Sequence, residues 1–291
     1  GMTSGTGSEM PRCLEGSRYY AQWAGVPYHI YSPFESGDDY SDDIKGRPLF
    51  ANYVARGSVY LPGDSGLSVP LEFSMGVHSD AGFRPDHSHI GTLGIYTTEW
   101  NNGVTGAGLS RLTSRDLVDM VMTHIKQDMD INFGQWTRRQ MYDKNYGESR
   151  EPLIPGIILE TLSHQNFWDL YRGHDPYFKF VMARAIYKGI LQYISEVYKL
   201  DKAATQPLPV ADLAAHVDPI NNRVELSWTP TYDPHDPSAD PESYIIYTRI
   251  GNEGYDNGTV VNGKTSVTID LQPEQMHYFK VAALNSGGCS M

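Results

Sequence analysis

The chain has 291 residues, a formal net charge of −12, and 40% hydrophobic and 12% aromatic residues. That composition supplies a sizeable core and excludes wholesale disorder. The acidic balance, with no basic cluster to override it, excludes a nucleic-acid partner, and no run of about 18 apolar residues is present to span a membrane.

Residues 1–12 are rich in Gly, Ser and Thr and are expected to be mobile. Leu14 to Ala24 predicts a short helix, stopped by Gly25 and Pro27. Tyr28 to Tyr31 reads as a short strand and Ser36 to Asp43 as an acidic, turn-rich loop. Arg47 to Ala55 predicts a helix ending at Gly57. Val69 to His78 and Gly91 to Thr98 read as strands, separated by a polar loop that holds His87 and His89. Ser114 reads as the N-cap of a long helix with Leu117, Met120, Val121, His124, Ile125 and Met129 on one stripe. Leu153 to Leu159 predicts a buried strand, interrupted by Pro155-Gly156. Asp175-Pro176 opens a helix to about Leu200, with Phe178, Met182, Ala185, Ile186, Ile190 and Ile194 at helical spacing. Strands alternating with helices imply a three-layer α/β domain.

The character changes after Leu200. Thr205 to Pro209 reads as a linker, and beyond it only strand patterns and turns follow: Arg223–Trp228, Ser243–Ile250, Gly258–Val261, Ser266–Leu271 and His277–Leu284. The expected division is therefore 13–204 and 207–291. Cys13 and Cys289 fall in different domains, so no disulfide between them is expected. Gly1 ahead of Met2 reads as a tag remnant, and the chain is expected to be a piece of a longer secreted protein.

Two segments carry candidate chemistry. Gly76-Val77-His78-Ser79-Asp80 and Ile157-Ile158-Leu159-Glu160 each close an apolar run. A His and a Glu at the carboxyl ends of two strands can meet at one rim of a sheet, where open α/β sheets bind ligands. Imidazole there can ligate zinc, and a carboxylate there can act as general base toward a metal-bound water. The plain alternatives are a core histidine satisfied by backbone for His78, and a helix-dipole partner for Glu15. His87 and His89 form a pair that can bind metal, or belong to a solvated loop. His164 can orient a substrate, stand in as a ligand or cap the chain. Arg138-Arg139 read as solvated.

The segments together resemble a family. Residues 13–204 are similar to the catalytic domain of zinc-dependent N-acetylmuramoyl-L-alanine amidases, bacterial cell-wall enzymes that cut between peptidoglycan sugar and stem peptide. Leu14-Glu15-Gly16-Ser17-Arg18-Tyr19-Tyr20-Ala21 fits the family's Glu-bearing helix, and Met75 to Ala81 fits its His-bearing strand. Pro155 to Asn166 fits the closing strand and turn, and Arg184-Ala185-Ile186-Tyr187-Lys188-Gly189-Ile190 the terminal helix. The resemblance implies a mixed sheet with helices on both faces and a zinc cofactor. It makes Glu15 and His78 metal ligands and Glu160 the catalytic carboxylate, with Asp80, His87, His89 and His164 as accessory candidates. Peptidoglycan or a related glycan would be the partner, and the location secreted, periplasmic or cell-surface. The family's first His has no counterpart in residues 1–14, so a metal-poor or inactive domain is expected, or a non-catalytic glycan-binding module. Similar proteins carry the label xanthan lyase, but no residues here support β-elimination.

Residues 207–291 resemble a fibronectin type III sandwich. Leu271 to Gly288 matches its sixth-strand signature, Trp228 and Tyr247 its aromatic core positions, and Tyr278 its tyrosine corner. With Met291 ending the chain, the last strand is expected to be missing.

Overall fold

The computed structural model describes residues 12–63, 66–86, 88–200 and 203–290; the rest of the Gly/Ser/Thr-rich lead and His87 lie outside the described residues. The chain divides into two compact units, Gly1–Tyr193 and Ile194–Met291.

In the first unit, a 3-10 turn at Arg12–Leu14 precedes α1 (Ser17–Trp23), α2 (Tyr28–Tyr31) and α3 (Asp39–Ala55). Next come β1 (Ser74–Asp80), β2 (Leu93–Tyr96), α4 (Leu112–Phe133), β3 (Tyr142–Asp143), α5 (Gly147–Arg150) and β4 (Gly156–Ser163). Then follow α6 (Phe167–His174) and α7 (Pro176–Tyr198), within which the unit boundary falls. The sheet order is β1-β4-β2-β3, with β1 and β4 parallel, β4 and β2 antiparallel, and β2 and β3 parallel. The unit is thus mixed α/β around a mixed sheet.

Register decides which residues face which helix. Gly94 of β2 sits opposite Leu159 of β4, which pairs with Val77 of β1. A Cβ at Gly94 would lie 2.2 Å from Val118 and 2.6 Å from the Met122 sulfur, so glycine here lets α4 rest on the sheet. Leu117, Val118, Val121, Met122, Ile125 and Met129 are fully buried there. Each contributes about 1.5–3 kcal/mol of burial. The alternate residues, Gly76, Ile158 and Ile95, point to the opposite face, where α5 lies.

Several local expectations are corrected. Tyr28–Tyr31 is a helical turn, not a strand; Ile30 N–H donates to Pro27 O, and the Tyr28 and Tyr31 rings meet edge-on, as only helical spacing permits. The acidic loop is largely the start of α3. Asp38 caps it by accepting from Tyr40 N–H, and Asp42, fully buried, accepts from Ser32 Oγ, Phe34 N–H and Ser36 N–H. Acidic residues favour a helix's first turn as well as a loop. Ser114 is not the N-cap of α4; it lies inside the first turn, where its Oγ accepts from Gly156 N–H and ties helix to strand. The strands begin later than expected, at Ser74 and Gly156, which leaves His78 and Glu160 inside their strands rather than at the ends.

The second unit is all β: β5 (Ala211–Asp218), β6 (Arg223–Thr229), β7 (Ser243–Ile250), β8 (Thr259–Asn262), β9 (Ser266–Asp270), β10 (His277–Asn285) and β11 (Gly288–Cys289). One sheet runs β11-β10-β7-β8 and the other β5-β6-β9. Val224, Leu226 and Trp228 of one sheet pack on Tyr244, Ile246 and Ala283 of the other, which makes a sandwich. Trp228 meets Tyr244 edge to face at 5.1 Å, so Tyr244, not Tyr247, is the core aromatic. Tyr278 is 40% exposed with the Arg249 guanidinium 3.8 Å over its ring, a surface stack instead of a buried corner. At the end of the described residues the two-residue β11 pairs antiparallel with β10.

Candidate functional site

His78 and Glu160 are direct register partners on β1 and β4, and Glu160 pairs in turn with Leu93 of β2. Register partners project from the same face, so imidazole and carboxylate stand side by side on the α5 face of the sheet. A Cβ at Gly76 would lie 3.0 Å from His78 Nε2 and 3.2 Å from Glu148 Oε2, so the glycine leaves room for a pair that the sequence did not announce. That pair is His78 Nε2 against Glu148 Oε2 at 2.5 Å, with Glu148 delivered by α5.

The charges continue outward. Glu148 Oε1 lies 3.4 Å from Arg47 Nη1, and Arg47 Nη2 is 2.6 Å from Asp43 Oδ2, both on α3. Asp43 Oδ1 accepts from Ser17 Oγ–H at 2.7 Å and Arg18 N–H at 2.9 Å, which fixes the start of α1. The result is an alternating chain, His78–Glu148–Arg47–Asp43, running from the sheet to α1.

The two carboxylates beside His78 are tuned in opposite directions. Burial works to raise Glu148, but the His78 hydrogen bond and the charges of His78 and Arg47 outweigh it and hold the carboxyl below its ordinary range. Burial raises Glu160 above its ordinary range; the His78 charge opposes this and the Asp80 charge adds to it. Glu160 Oε2 is buried with no hydrogen-bond partner among the described residues. His78 is raised above its ordinary value, chiefly by the Glu148 hydrogen bond, with burial opposing and the charges of Glu148 and Glu160 supporting. Environments that push neighbouring titratable groups apart are the usual basis of acid–base roles.

The other candidates fall in different places. Asp80 pairs with Arg139 and accepts from Ala81 N–H at 2.7 Å, and burial's upward pull on its pKa is outweighed by Arg139. Arg138 pairs with Asp119. Both arginines are therefore ion-paired rather than merely solvated. His164 Nδ1 lies 3.1 Å from Ser79 Oγ, and its backbone N–H donates to Asp80 O, a capping arrangement across β1 and β4. His89 Nδ1 is 3.0 Å from Asp169. That fully buried carboxylate also accepts from the N–H groups of Ile90, Gly91 and Ser163, so His89 belongs to a structural knot. His87 lies outside the described residues. Glu15 is exposed in the turn between the 3-10 turn and α1, just ahead of Ser17 at the outer end of the charge chain.

Zinc was tested against these donors. Among the described residues, no three or more His, Cys, Asp or Glu side chains are grouped to hold a metal ion. The nitrogen of His78 that would ligate faces Glu148, and the Arg47 guanidinium already sits on that carboxylate. His78 Nε2 and both oxygens of Glu148 are thus already taken up by partners within the protein. The described donors around His78, two of them already paired with each other, do not form a three-ligand zinc site.

Glu148, Arg47 and Asp43 escaped sequence reasoning. Glu148 lies on a one-turn helix with no periodic signal, and its partners His78 and Arg47 are 70 (148 − 78) and 101 residues away in the chain. The only local hint is Tyr146-Gly147, a turn placed just before the buried strand.

No protein-family model and no curated protein matches the chain. Among solved structures, the chain is similar to the CwlD amidase from Clostridioides difficile, in complex with the GerS lipoprotein, at 17% identity and a TM-score of 0.39, covering 54% of this chain and 64% of that one. It is similar to an N-acetylmuramoyl-L-alanine amidase from Clostridium difficile 630 at 16% identity and a TM-score of 0.39, covering 57% and 78%. It is also similar to the twitchin kinase region from C. elegans at 22% identity and a TM-score of 0.26, covering 30% and 15%. The chain thus spans less than two thirds of the CwlD amidase and of the twitchin region. Amidases are structural neighbours over about half of the chain. These likenesses are partial, and the roles of the residues follow from the geometry around His78.

Proposed function

We propose that the first unit is an amidase-like module that recognises peptidoglycan or another amide-linked glycan on the α5 face of its sheet, around His78 and Glu160, and that this chain binds such a ligand without zinc-dependent cleavage. The observation that carries this reading is the His78–Glu148–Arg47–Asp43 chain. Its charges are matched to one another, so this face presents polar groups suited to amides and hydroxyls rather than an open cation site. The amidase-like segments support it by placing His78 and Glu160 side by side. Glu15, His87 and His89 have no part in this reading. The second unit would be a fibronectin type III-like spacer or adaptor in a protein acting at the cell surface, in the periplasm or outside the cell. No helix among the described residues is long and apolar enough to cross a membrane.

One observation favours a second reading, hydrolysis. Glu160 carries a buried, unpartnered carboxylate oxygen and a raised proton affinity, the make-up of a group that takes and returns a proton. In that reading ionised Glu160 would take a proton from a water as its oxygen bonds to the amide carbon and return it to the amine as the C–N bond breaks, while His78, charged by Glu148, steadies the negative charge that develops on the carbonyl oxygen.

Co-sedimentation with insoluble peptidoglycan tests both. Binding that is lost in Glu148→Ala, without release of free L-alanine amino termini, is the expected result. Release of those termini together with stoichiometric zinc by elemental analysis would overturn the binding reading. New unsaturated sugars from an acidic polysaccharide would mean a lyase.

A further inference from the structure

The outer face of the second unit's four-stranded sheet carries two cations that its own acids leave unpaired. Tyr244 and Ile246 of β7 and Ala283 of β10 turn into the sandwich core. By alternation Tyr247 and Arg249 of β7 turn outward, and their register partners on β10 are Lys280 and Tyr278. The loop between β7 and β8 folds over this face. Asp256 anchors it by accepting from Thr248 N–H and Gly258 N–H, each at 3.0 Å. Gly258, at φ +79°, allows the close approach; a Cβ there would stand 2.6 Å from Ile245 Cγ1 and 2.9 Å from Tyr247 Cε1. The loop thereby brings Tyr255 to both cations. The Arg249 guanidinium lies 5.4 Å from the centre of its ring and Lys280 Nζ 4.6 Å.

Neither cation has an acidic partner among the described residues, whereas Arg223 on the other sheet has Asp270 at 2.8 Å. Asp256, the acid nearest in the chain to Tyr255, is turned to the loop's own N–H groups. Lys280 is exposed, and Arg249 Nε is buried without an acceptor among the described residues. Arg249 and Lys280 sit diagonally across β7 and β10, where like charges repel. The tyrosine rings attract each cation but supply no counter-charge and no carboxylate for the guanidinium's N–H groups. The chain has 35 acidic and 23 basic residues, so this spot does not lack a carboxylate for want of acid in the sequence.

An incoming carboxylate supplies what is missing: planar oxygens for the guanidinium and a counter-charge for the ammonium. The surroundings select its body. Tyr278 is 40% exposed, and Tyr247 and Tyr255 are half-buried beside it. Aromatic rings with polar tips suit a sugar, whose C–H groups pack on the rings and whose hydroxyls meet the phenols.

We propose that this face of the second unit binds a carboxylate-bearing sugar, its carboxylate held by Arg249 and Lys280 and its ring set against the tyrosines. The assignment concerns the second unit alone and is independent of the amidase-like reading.

Titration of the full chain with methyl α-D-galacturonide, methyl α-D-galactoside and acetate tests it. The galacturonide should bind saturably, and the galactoside, which keeps the ring but lacks the charge, at least about tenfold more weakly. Acetate, which keeps the charge but lacks the ring, should also bind more weakly than the galacturonide. Lys280→Gln, a change at an exposed position, should weaken the galacturonide by at least about threefold. In the wild-type protein the galacturonide should shift the backbone amide resonances of Tyr255 and Lys280, a readout that needs no variant to fold. Absence of saturable binding, a galactoside or acetate as tight as the galacturonide, unshifted amides at Tyr255 and Lys280, or unchanged affinity in Lys280→Gln would each overturn the proposal.

Discussion

The sandwich core and the α5 face of the first unit's sheet bury similar kinds of strand in opposite ways. In the sandwich, β6 alternates without a break: Val224, Leu226 and Trp228 turn inward and their neighbours outward. On the α5 face, the same alternation of β1 and β4 brings Gly76, His78 and Glu160 to positions where apolar residues would serve stability better. A buried carboxylate oxygen with no partner costs free energy; the unpartnered polar atom of the sandwich core, Trp228 Nε1, is a neutral indole N–H that carries no such charge. Places where a sequence departs from its own packing rule are where function is to be sought. The second unit keeps its apolar alternation, whereas the first sets His78 and Glu160 on one face of its sheet.

The largest way to break this comparison is Trp228→Ala. Trp228 is 5% exposed between the two sheets and packs on Tyr244. Its loss should cost about 3–5 kcal/mol by leaving a cavity. Denaturant unfolding followed by sandwich-specific amide signals should show the drop, with the His78 titration unchanged. A change below about 1 kcal/mol would mean that the core repacks freely and that the apolar alternation is not what holds the unit.

Glu148→Ala comes next and acts on the α5 face of the sheet. His78 would lose its hydrogen-bond partner, at a cost of about 1–3 kcal/mol for this partly buried pair. The pH signature has a definite sign. His78 is raised in the folded protein above its ordinary 6.5. The pair's contribution is therefore full below about 6.5 and fades as pH rises through the folded value. Glu148, lowered from its ordinary 4.5, contributes above 4.5 and loses that contribution as pH falls through its folded value. Stability from the pair is thus greatest at mildly acidic pH. NMR titration of His78 should move toward 6.5 in Glu148→Ala. An unmoved titration would show that Glu148 does not charge His78.

The same contrast explains what could be read beforehand. Ser243–Ile250 was legible to the residue, and β6, β9 and β10 to within a residue or so, because period-2 alternation is local information. So was the long apolar stripe of α4. His78 and Glu160 were legible as candidates because each interrupts or closes an apolar run. Their company was not. Glu148 comes from a four-residue helix, and Arg47 and Asp43 from a stretch split between an assumed loop and an assumed helix. Only the β1–β4 register and the packing of α5 on α3 bring these five residues together, and neither leaves a mark in local spacing. Tyr244 and Tyr247 are both aromatic residues on one strand, and a single step of register decides which is buried.

The smallest expected effect is the sharpest test of Glu160. Burial raises its pKa above the ordinary 4.5, with its second oxygen unpartnered. Ionising it in the folded protein is therefore harder than in the unfolded chain. Stability referable to this group is full below about 4.5 and declines as pH rises through the folded value. Glu160→Gln keeps the shape and removes that decline. The variant should equal the wild type near pH 4 and be slightly more stable near pH 7, by about 1 kcal/mol or less. The His78 titration should fall a little, since the Glu160 charge helps to raise it. Paired denaturant curves at the two pH values measure this directly. If Glu160→Gln is less stable near pH 7 than the wild type, the ionised carboxylate stabilises the fold, its strained position is an illusion of packing, and the case for a proton-handling group at Glu160 falls with it.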